Sequence, residues 1–598
     1  MPPRKTAKSR RTSWPVLIGL VGFAFVLYGN SIPHGYVLDD EMVTTGNTFV
    51  QRGVAGIPQM FTTSYLFGYT LETEGSYRPL PLVSLAAERQ LWGNNPHVHH
   101  LFNVLWYAAT GVLLWLCLRL MLPRLHDVVP LAITLLWLAH PVHTEVVANI
   151  KSRDELLSFF FSVVSLFLAV RHHDRGARRD RWLGVAAFFL ALLSKDSALM
   201  FVAVIPLALY VFTDIRPKSL AQRVAPYAAA TVLYLLVRAA VLGGVGLGEP
   251  MGVINNSVAA IPSAAARWAT RLVIAGRYLG LLVFPHPLSW DYSYNEIPAV
   301  GFGNPWVIVS ALVVAAFAAY GLVRITRRDP LAFGILYGFV TMALTANVFV
   351  RVGATMAERF LYAPSLGFVI AMVFAALRLA GLDVARGRPL PRSPLAPLFA
   401  VVLVAYTAKT IHRNRDWADN FSLFSAGVTA APHSAKTHES LAFEYLQRAS
   451  AAPTPARRQQ DFNRSIGEFR AALAILPEYG EAWYNLGMTY HAMGDTANEI
   501  AAYRKAIAVD PKQAGAYNNL GMYYLIRHEY DDAAGWFTNA IERRPRSTEA
   551  LANLGICRFN VGRYAEAESL FTRSLAVDPN QPKVRENLDK ARAALGRK

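Results

Sequence analysis

Apolar runs of membrane-crossing length fill the first two thirds of the chain. A helix needs about 17 to 25 apolar residues to cross a bilayer, and eleven runs approach or reach this length, the fifth being short. They lie at 14–32, 98–122, 128–148, 155–171, 182–195, 197–213, 224–242, 305–323, 331–349, 360–380 and 395–411. The pattern predicts an all-α, polytopic membrane domain over residues 14–412, with about eleven spans.

One further apolar run, 267–286, carries Arg267, Arg271 and Arg277. Each charge at the centre of a span costs roughly 2.5 to 3.5 kcal/mol on insertion scales. We therefore interpret this run as an interfacial or re-entrant segment that does not cross.

The positions of Lys and Arg test this span count, because short loops rich in them stay in the cytoplasm. A cytoplasmic N-terminus with eleven crossings places every basic cluster on that side. These clusters are the tail 1–13, "PRLHD", "RHHDRGARRDR", "TDIRPKSLAQR", "RITRRD" and "ARGRPLPRSP". Everything after His412 then lies outside the cytoplasm.

Composition agrees with membrane embedding. Hydrophobic residues make up 53% of the 598 residues, too many for a soluble protein of this size. The net charge of +18 is explained by basic loops at span ends, so we expect a lipid bilayer and no nucleic acid as partner. Ala and Arg richness with only two cysteines indicates a bacterial cytoplasmic membrane; in a eukaryote the outer side would be the ER lumen.

A 34-residue period marks the C-terminal part. Pro477, Pro511, Pro545 and Pro579 close successive helices, and Gly487, Gly521 and Gly555 recur in register in the partner helices. This is the tetratricopeptide (TPR) pattern, in which paired helices stack into a solenoid. It predicts a linker at 413–434, repeats over 435–581 and a capping helix over 582–598. An insertion in the degraded first unit, around "SAAPTPARRQQ", is predicted to be a loop.

Three asparagines, Asn485, Asn519 and Asn553, share the same period. Each could bond its own turn, or the three could form a ladder of amides that binds an extended polypeptide in the repeat groove. The periodicity alone favours neither alternative.

Conspicuous polar residues converge on the outer membrane face. Ionisable groups at membrane depth are costly and by default mark a site. The acidic stretch "YVLDDEMVTTGN" contributes Asp39 and Asp40, and the other loops and span ends contribute Tyr77, Arg78, His140, His143, Glu145, Arg153, Asp154, Lys195, Asp196, Asp291, Glu358 and Arg359. Lys151 and Arg351 lie on the same side.

Each group also has an ordinary structural explanation. Asp39 and Asp40 could cap a short helix, the "HPVHTE" histidines could bond the interfacial backbone instead of a metal, and the cations could snorkel to headgroups. Their convergence favours a site. A carboxylate base beside cations suits a hydroxyl that attacks a sugar carbon while a lipid phosphate departs, which inverts the anomeric centre.

The segments "LDDEMVTTGN", "LAHPVHTEVVANIKSRDELL", "LSKDSALM", "LSWDYSYNEIP", "AERFLYAPSLGF" and "RNRDWADNFSLFSAG", in this order and followed by TPR repeats, resemble the transmembrane and tetratricopeptide-repeat (TMTC-like) protein O-mannosyltransferases of the GT-C superfamily. The resemblance implies a polyprenyl-phosphate mannose donor, no cofactor, and Ser or Thr hydroxyls of exported polypeptides as acceptors held by the TPR groove.

The resemblance also implies roles for individual residues. Asp39 would be the base and Asp40 would orient it or bind substrate. Arg153, Lys195 and Arg359 would contact the phosphate, while Tyr77 and Arg78 would shape the pocket. No metal is expected, so the histidines become structural or sugar-binding.

Three other functions compete with this one. A GT-C transferase could act on a lipid or polysaccharide, but the repeats suit peptides. A membrane-anchored TPR scaffold would need only one span. A transporter would carry its charges at the midplane between repeated halves, and this sequence places them at one face.

Overall fold

The computed structural model describes residues 13–244, 252–348, 352–385, 393 and 395–596. The chain divides into two compact units, Met1–Ala431 and Pro432–Lys598. Within the described residues the fold is helical, and the one β-bridge joins Leu125 to Ala385. The basic tail falls outside the described residues up to position 12, as do Arg351 and most of the "ARGRPLPRSP" loop.

The first unit contains fourteen helices of eight residues or more in its described part. They are α1 Trp14–Tyr28, α2 Pro79–Trp92, α3 Pro96–Met121, α4 Val128–Ala139, α5 Arg153–Arg175, α6 Arg178–Ser194, α7 Phe201–Phe212, α8 Pro217–Leu242, α9 Ala264–Val283, α10 Pro305–Ile325, α11 Pro330–Met342, α12 Pro364–Leu379, α13 Leu395–Asn414 and α14 Asn420–Ala430. Short helical turns such as Asp40–Val43 lie in the connections.

Helix starts in this unit follow simple backbone chemistry. The side chains of Asn95, Asn304 and Asp329 accept the free amide two residues on, and a proline follows each of them. Proline at the first helical position loses no hydrogen bond, because that amide has no partner inside the helix. The first unit therefore has sharp helix ends where the chain enters α3, α10 and α11.

Six helices of the described chain, α1, α3, α5, α8, α10 and α13, are long and apolar enough to cross a membrane. Four further apolar helices of the described chain are shorter: α4, α7 with the turn before it, α11 and α12. Every one of the eleven predicted runs falls on a helix, so the predicted all-α membrane domain is confirmed. The number of crossings and their orientation stay predictions.

In two segments the helices of the structure differ in detail from those predicted from the sequence. The run 128–148 is not one helix: α4 ends at Ala139, and His140 is extended because a residue before proline disfavours the α conformation. The arginine-bearing run forms one continuous helix, α9, of 20 residues, and its not crossing the membrane stays a prediction. An interfacial helix remains compatible with that geometry.

The segment predicted as a linker is largely helical. Asp419 caps α14 by accepting the Ser422 amide at 2.8 Å, and the first unit continues to Ala431. The composition of this segment is less apolar than a span and therefore predicts a connection.

The second unit is a solenoid of helix pairs, as predicted. The pairs are α15 Ala435–Ser450 with α16 Pro455–Ile475, α17 Gly480–Met493 with α18 Thr496–Val509, α19 Ala514–Ile526 with α20 Tyr530–Arg543, and α21 Thr548–Asn560 with α22 Tyr564–Val577, followed by α23 Pro582–Ala594. The predicted loop around "SAAPTPARRQQ" is wrong beyond Thr454. Thr454 caps α16 and Pro455 begins it, so most of the insertion lengthens a helix.

The recurring glycines allow close packing inside each pair. A Cβ on Gly521 would lie 2.7 Å from a ring carbon of Phe537, and one on Gly555 would lie 2.6 Å from Phe571. Any side chain at these positions would force the two helices apart.

We expect Gly521→Ala to destabilise the second unit by roughly 1 to 3 kcal/mol through overpacking. Gly535→Ala is the matched control, because a Cβ there meets nothing within 4 Å; its better helix propensity should stabilise by about 1 kcal/mol. Hydrogen exchange of peptides from 514–543 in the full chain measures both. Equal exchange in the two variants would contradict the packing argument.

Candidate active site in the outer loops

The acidic stretch divides into one buried and one accessible carboxylate. Asp40 is 0% exposed; its Oδ2 accepts the Val37 amide at 3.0 Å, and its Oδ1 accepts the Lys151 amide at 2.8 Å. The Asp39 side chain is 45% exposed and lies 2.8 Å from Lys151 Nζ. Lys151 therefore contacts both acids, one through its backbone and the other through its ammonium group.

Burial raises the pKa of Asp40 to about 7, although the two backbone amides work in the opposite direction. A pKa near neutrality is what a general base needs. The geometry nevertheless excludes that role, because both oxygens are occupied and no surface is open to an acceptor. Asp40 shapes the loop, and Asp39 is the carboxylate that an incoming hydroxyl can reach.

A second group of charges gathers at the start of α5. Asp154 accepts from Arg78 at 2.7 Å and from Lys195 at 3.1 Å. Lys195 also lies 2.9 Å from Glu155. The Arg78 and Lys195 side chains keep 20% and 12% of their surface exposed, so each offers a partly accessible cation held in place by a buried carboxylate.

Arg359 forms the third charged group. Its guanidinium and its backbone amide both bind Glu145, the amide at 2.8 Å. Burial disfavours the charged form, but Glu145 and then Asp39 raise the pKa of Arg359 above its usual value. Of the predicted phosphate contacts Arg359 is the most accessible, with 29% of its side chain exposed.

Tyr65 is a buried phenol beside Arg78. Burial raises the pKa of this phenol well above its usual value, and the charges of Asp154 and Asp39 add to the effect. The Arg78 guanidinium lies over its ring, 5.4 Å from the centroid. Tyr65 and Glu155 are not among the candidate residues that the sequence indicates. Lys151 lies in the same charged stretch as Asp154, and the sequence places it on the outer face without a role of its own. Nothing in the sequence points to Tyr65.

Arg153 does not belong to the accessible cluster. Its side chain is 0% exposed and binds the carboxylate of Glu88, with further bonds to Asn103 Oδ1 at 2.8 Å and to the His99 carbonyl at 2.7 Å. The prediction of a phosphate contact is therefore wrong for Arg153. The guanidinium is fully engaged inside the protein, and a charge buried without its partner would be strongly destabilising.

The two histidines of "HPVHTE" are internal. His140 Nε2 contacts the Leu282 carbonyl at 3.0 Å, while His143 lies between the hydroxyls of Tyr107 and Ser365, each at 2.8 Å. These bonds favour the structural alternative over sugar binding. No group of three or more metal-ligating side chains is assembled in the described ranges, and a metal-free reaction stays a prediction.

Tyr77 and Asp196 form the wall next to Arg78. Tyr77 is 1% exposed, and its hydroxyl donates to the Phe61 carbonyl at 3.0 Å. Asp196 accepts from the Tyr234 hydroxyl at 2.5 Å and lies 3.7 Å from Arg238. The arrangement supports a shaping role and leaves direct substrate contact to the neighbouring cations.

Asp291 and Glu358 hold loops together. Both Asp291 oxygens accept from Ser293, at 2.6 Å from its hydroxyl and 2.8 Å from its amide. Glu358 accepts the Tyr292 hydroxyl at 2.9 Å, and burial raises its pKa to about 8. These bonds anchor the loop that presents Arg359, so both acids support the site without facing it.

The three periodic asparagines each bond a side chain of another helix. Asn485 donates to Glu439 at 2.8 Å, Asn519 to the Tyr503 hydroxyl at 3.0 Å, and Asn553 to Asn518 at 3.2 Å. The amide of Asn518 in turn donates to Asn519 at 3.4 Å. The asparagines of α19 and α21 form a connected chain of amides, and all three periodic asparagines bond neighbouring helices instead of their own turns. Binding of an extended polypeptide by these amides stays a prediction.

Asp40 makes the stability of the protein depend on pH. Its ordinary pKa of 3.8 rises to about 7 in the folded chain, so the folded state keeps a proton that the unfolded state releases between those values. Stability should fall by up to about 1.4 kcal/mol per pH unit across this window and level off above it.

The thermal midpoint of the detergent-purified protein, measured from pH 4.5 to 8, tests this dependence. Asp40→Asn should flatten the slope, whereas Glu41→Gln, at an exposed neighbouring position, should keep it. Parallel curves for wild type and Asp40→Asn would contradict the assignment.

Comparison with known proteins supports both units. Tetratricopeptide repeat models match residues 480–513, 502–534 and 524–595. The chain is 26% identical to Protein O-mannosyl-transferase F38B6.6 of Caenorhabditis elegans over 71% of this chain and 59% of that protein. It is 25% identical to human Protein O-mannosyl-transferase TMTC1 over 78% of this chain and 56% of that protein.

The chain therefore spans less than three fifths of the length of these curated relatives. Among solved structures, the crystal structure of MamA is 22% identical and covers 30% of this chain and 96% of that chain, with a TM-score of 0.23. The resemblance predicted from the sequence is confirmed by the sequence relatives.

Proposed function

We propose that this TMTC-like membrane protein is a glycosyltransferase. It transfers a sugar, proposed to be mannose, from a polyprenyl-phosphate carrier to Ser or Thr hydroxyls of exported polypeptides. The observation that carries the proposal is the pairing of an accessible carboxylate, Asp39, with partly exposed cations in the loops of a helical membrane unit. The TPR unit, which suits extended polypeptides, favours a protein acceptor over a lipid or polysaccharide.

The reaction follows from the charges. Asp39 takes the proton of the acceptor hydroxyl as that oxygen attacks the anomeric carbon. The bond between this carbon and the phosphate oxygen breaks, and its electron pair leaves with the lipid phosphate. Attack from the face opposite the leaving group inverts the anomeric centre, so no covalent sugar intermediate forms.

Lys151 prepares the base. Its ammonium group lies 2.8 Å from Asp39 and fixes the direction of that carboxylate. Arg359, Arg78 and Lys195 would meet the negative charge that builds on the departing phosphate. Charge-assisted hydrogen bonds of this kind are stronger in a site with little water than in bulk solvent.

Asp39→Asn should lower the transfer rate by about 10² to 10⁴-fold, since the amide cannot accept the proton. The measurement is transfer of mannose from dolichyl phosphate mannose to Ser/Thr-containing peptides by the full chain in membranes. Glu41→Gln is the matched control, an exposed acid two positions away, and should keep the wild-type rate. Full transfer by a properly inserted Asp39→Asn variant would remove the enzymatic proposal.

The amide chain in the repeats should bind the acceptor. Asn553→Ala removes one donor and acceptor worth about 1 kcal/mol, so we expect roughly 5-fold weaker binding of a labelled, unstructured Ser/Thr-rich peptide by fluorescence anisotropy. Asn539→Ala is the control, because Asn539 donates to the Gly535 carbonyl of its own helix at 2.9 Å. Equal losses in both variants would argue against a groove role.

A further inference from the structure

The acidic loop is fastened to a segment almost four hundred residues away. The Leu38 amide donates to Asn420 Oδ1 at 2.9 Å, across 382 positions of sequence. Nearby, the Gly35 amide donates to the Ala418 carbonyl at 3.2 Å. The stretch that begins α14 therefore holds the chain immediately before Asp39.

Leu38 adopts a left-handed backbone conformation, with φ +51°. Residues with a side chain rarely adopt it, and they do so where the surroundings impose it. Two sets of bonds hold this turn: Asp40 accepts the Val37 amide and donates its own amide to the Val37 carbonyl, each at 3.0 Å, while Asn420 holds the Leu38 amide from outside the loop. Loss of the Asn420 bond would leave only the local bonds and would loosen Leu38 and the next residue, Asp39.

The segment that supplies Asn420 is itself rigid. The Asn414 amide donates to the Leu27 carbonyl at 2.8 Å, and Trp417 is 0% exposed. Asp419 caps α14 through the Ser422 amide at 2.8 Å. Asn420 thus sits on a fixed support that packs against the end of α1.

We propose that Asn420 is a positioning residue for Asp39: its side-chain oxygen holds Leu38 in the left-handed conformation and so directs the Asp39 carboxylate towards Lys151 and the acceptor. The inference rests on the proposed function for its catalytic consequence. Its structural part, the holding of the acidic loop, stands independently of the reaction.

Asp419 provides a matched comparison. It neighbours Asn420 and stabilises the same helix end, but its side chain caps α14 and the bond to Leu38 belongs to Asn420. A role that only stabilises α14 would make Asp419→Ala and Asn420→Ala alike. A positioning role would separate them.

The experiment compares Asn420→Ala, Asp419→Ala and Asn420→Asp in the full chain. Hydrogen exchange of peptides from 33–47 should rise in Asn420→Ala and stay near wild type in Asp419→Ala. With dolichyl phosphate mannose as donor, kcat should fall by about 10²-fold in Asn420→Ala, the effect of misplacing a reacting group by about 1 Å, while the donor KM stays within about 2-fold. Asn420→Asp keeps the accepting oxygen and should restore both readings.

The outcomes separate the two proposals. Equal exchange and equal kcat in Asn420→Ala and Asp419→Ala, or no recovery in Asn420→Asp, would overturn the role of Asn420. A wild-type chain that transfers no sugar, combined with loosening of 33–47 in Asn420→Ala alone, would overturn the proposed function and leave the loop-holding role established.

Discussion

The candidate site depends on the burial of one carboxylate. Asp40 has no exposed surface and accepts backbone amides from Val37 on its own loop and from Lys151 in the turn before α5. Without these bonds a buried carboxyl would be costly; with them it joins two loops that are 111 positions apart in sequence. The junction also brings the Lys151 ammonium group to Asp39, so the accessible carboxylate is positioned through its buried neighbour.

Buried carboxylates also hold the cations of the candidate site. Each cation that we assign to the phosphate binds a buried carboxylate: Arg359 binds Glu145, and Arg78 and Lys195 share Asp154. The carboxylates hold the cations in place, so a substrate phosphate does not have to order them. In the proposed reaction the departing phosphate would bear more charge than the diester and would compete better for these cations. Interactions that strengthen in the transition state accelerate a reaction.

The sequence pattern predicted the helices, whose signals lie within short stretches of the chain. The apolar runs, the 34-residue period and the helix-closing prolines located most helices, because each of these signals lies within one helix or one repeat. The site was predicted as a set of residue types at one face, and the structure leaves Asp39 and Arg359 of that set partly exposed. Their roles stay predictions. Residue spacing could not show that the Arg153 guanidinium binds Glu88, 65 positions earlier. Nor could it show that His143 lies between Tyr107 and Ser365. These outcomes are set by long-range partners that no spacing reveals.

The long separations explain why the acidic loop looks ambiguous in sequence. Its conformation comes from Lys151, beyond α3 and α4, and from Asn420, beyond the last apolar helix. A loop whose shape is imposed by both distant segments acquires its final geometry only when the first unit is complete to α14. Asp39 is therefore held as an accessible acid within a finished membrane unit, and the same three-residue acidic run on an isolated segment would have no reason to adopt this arrangement.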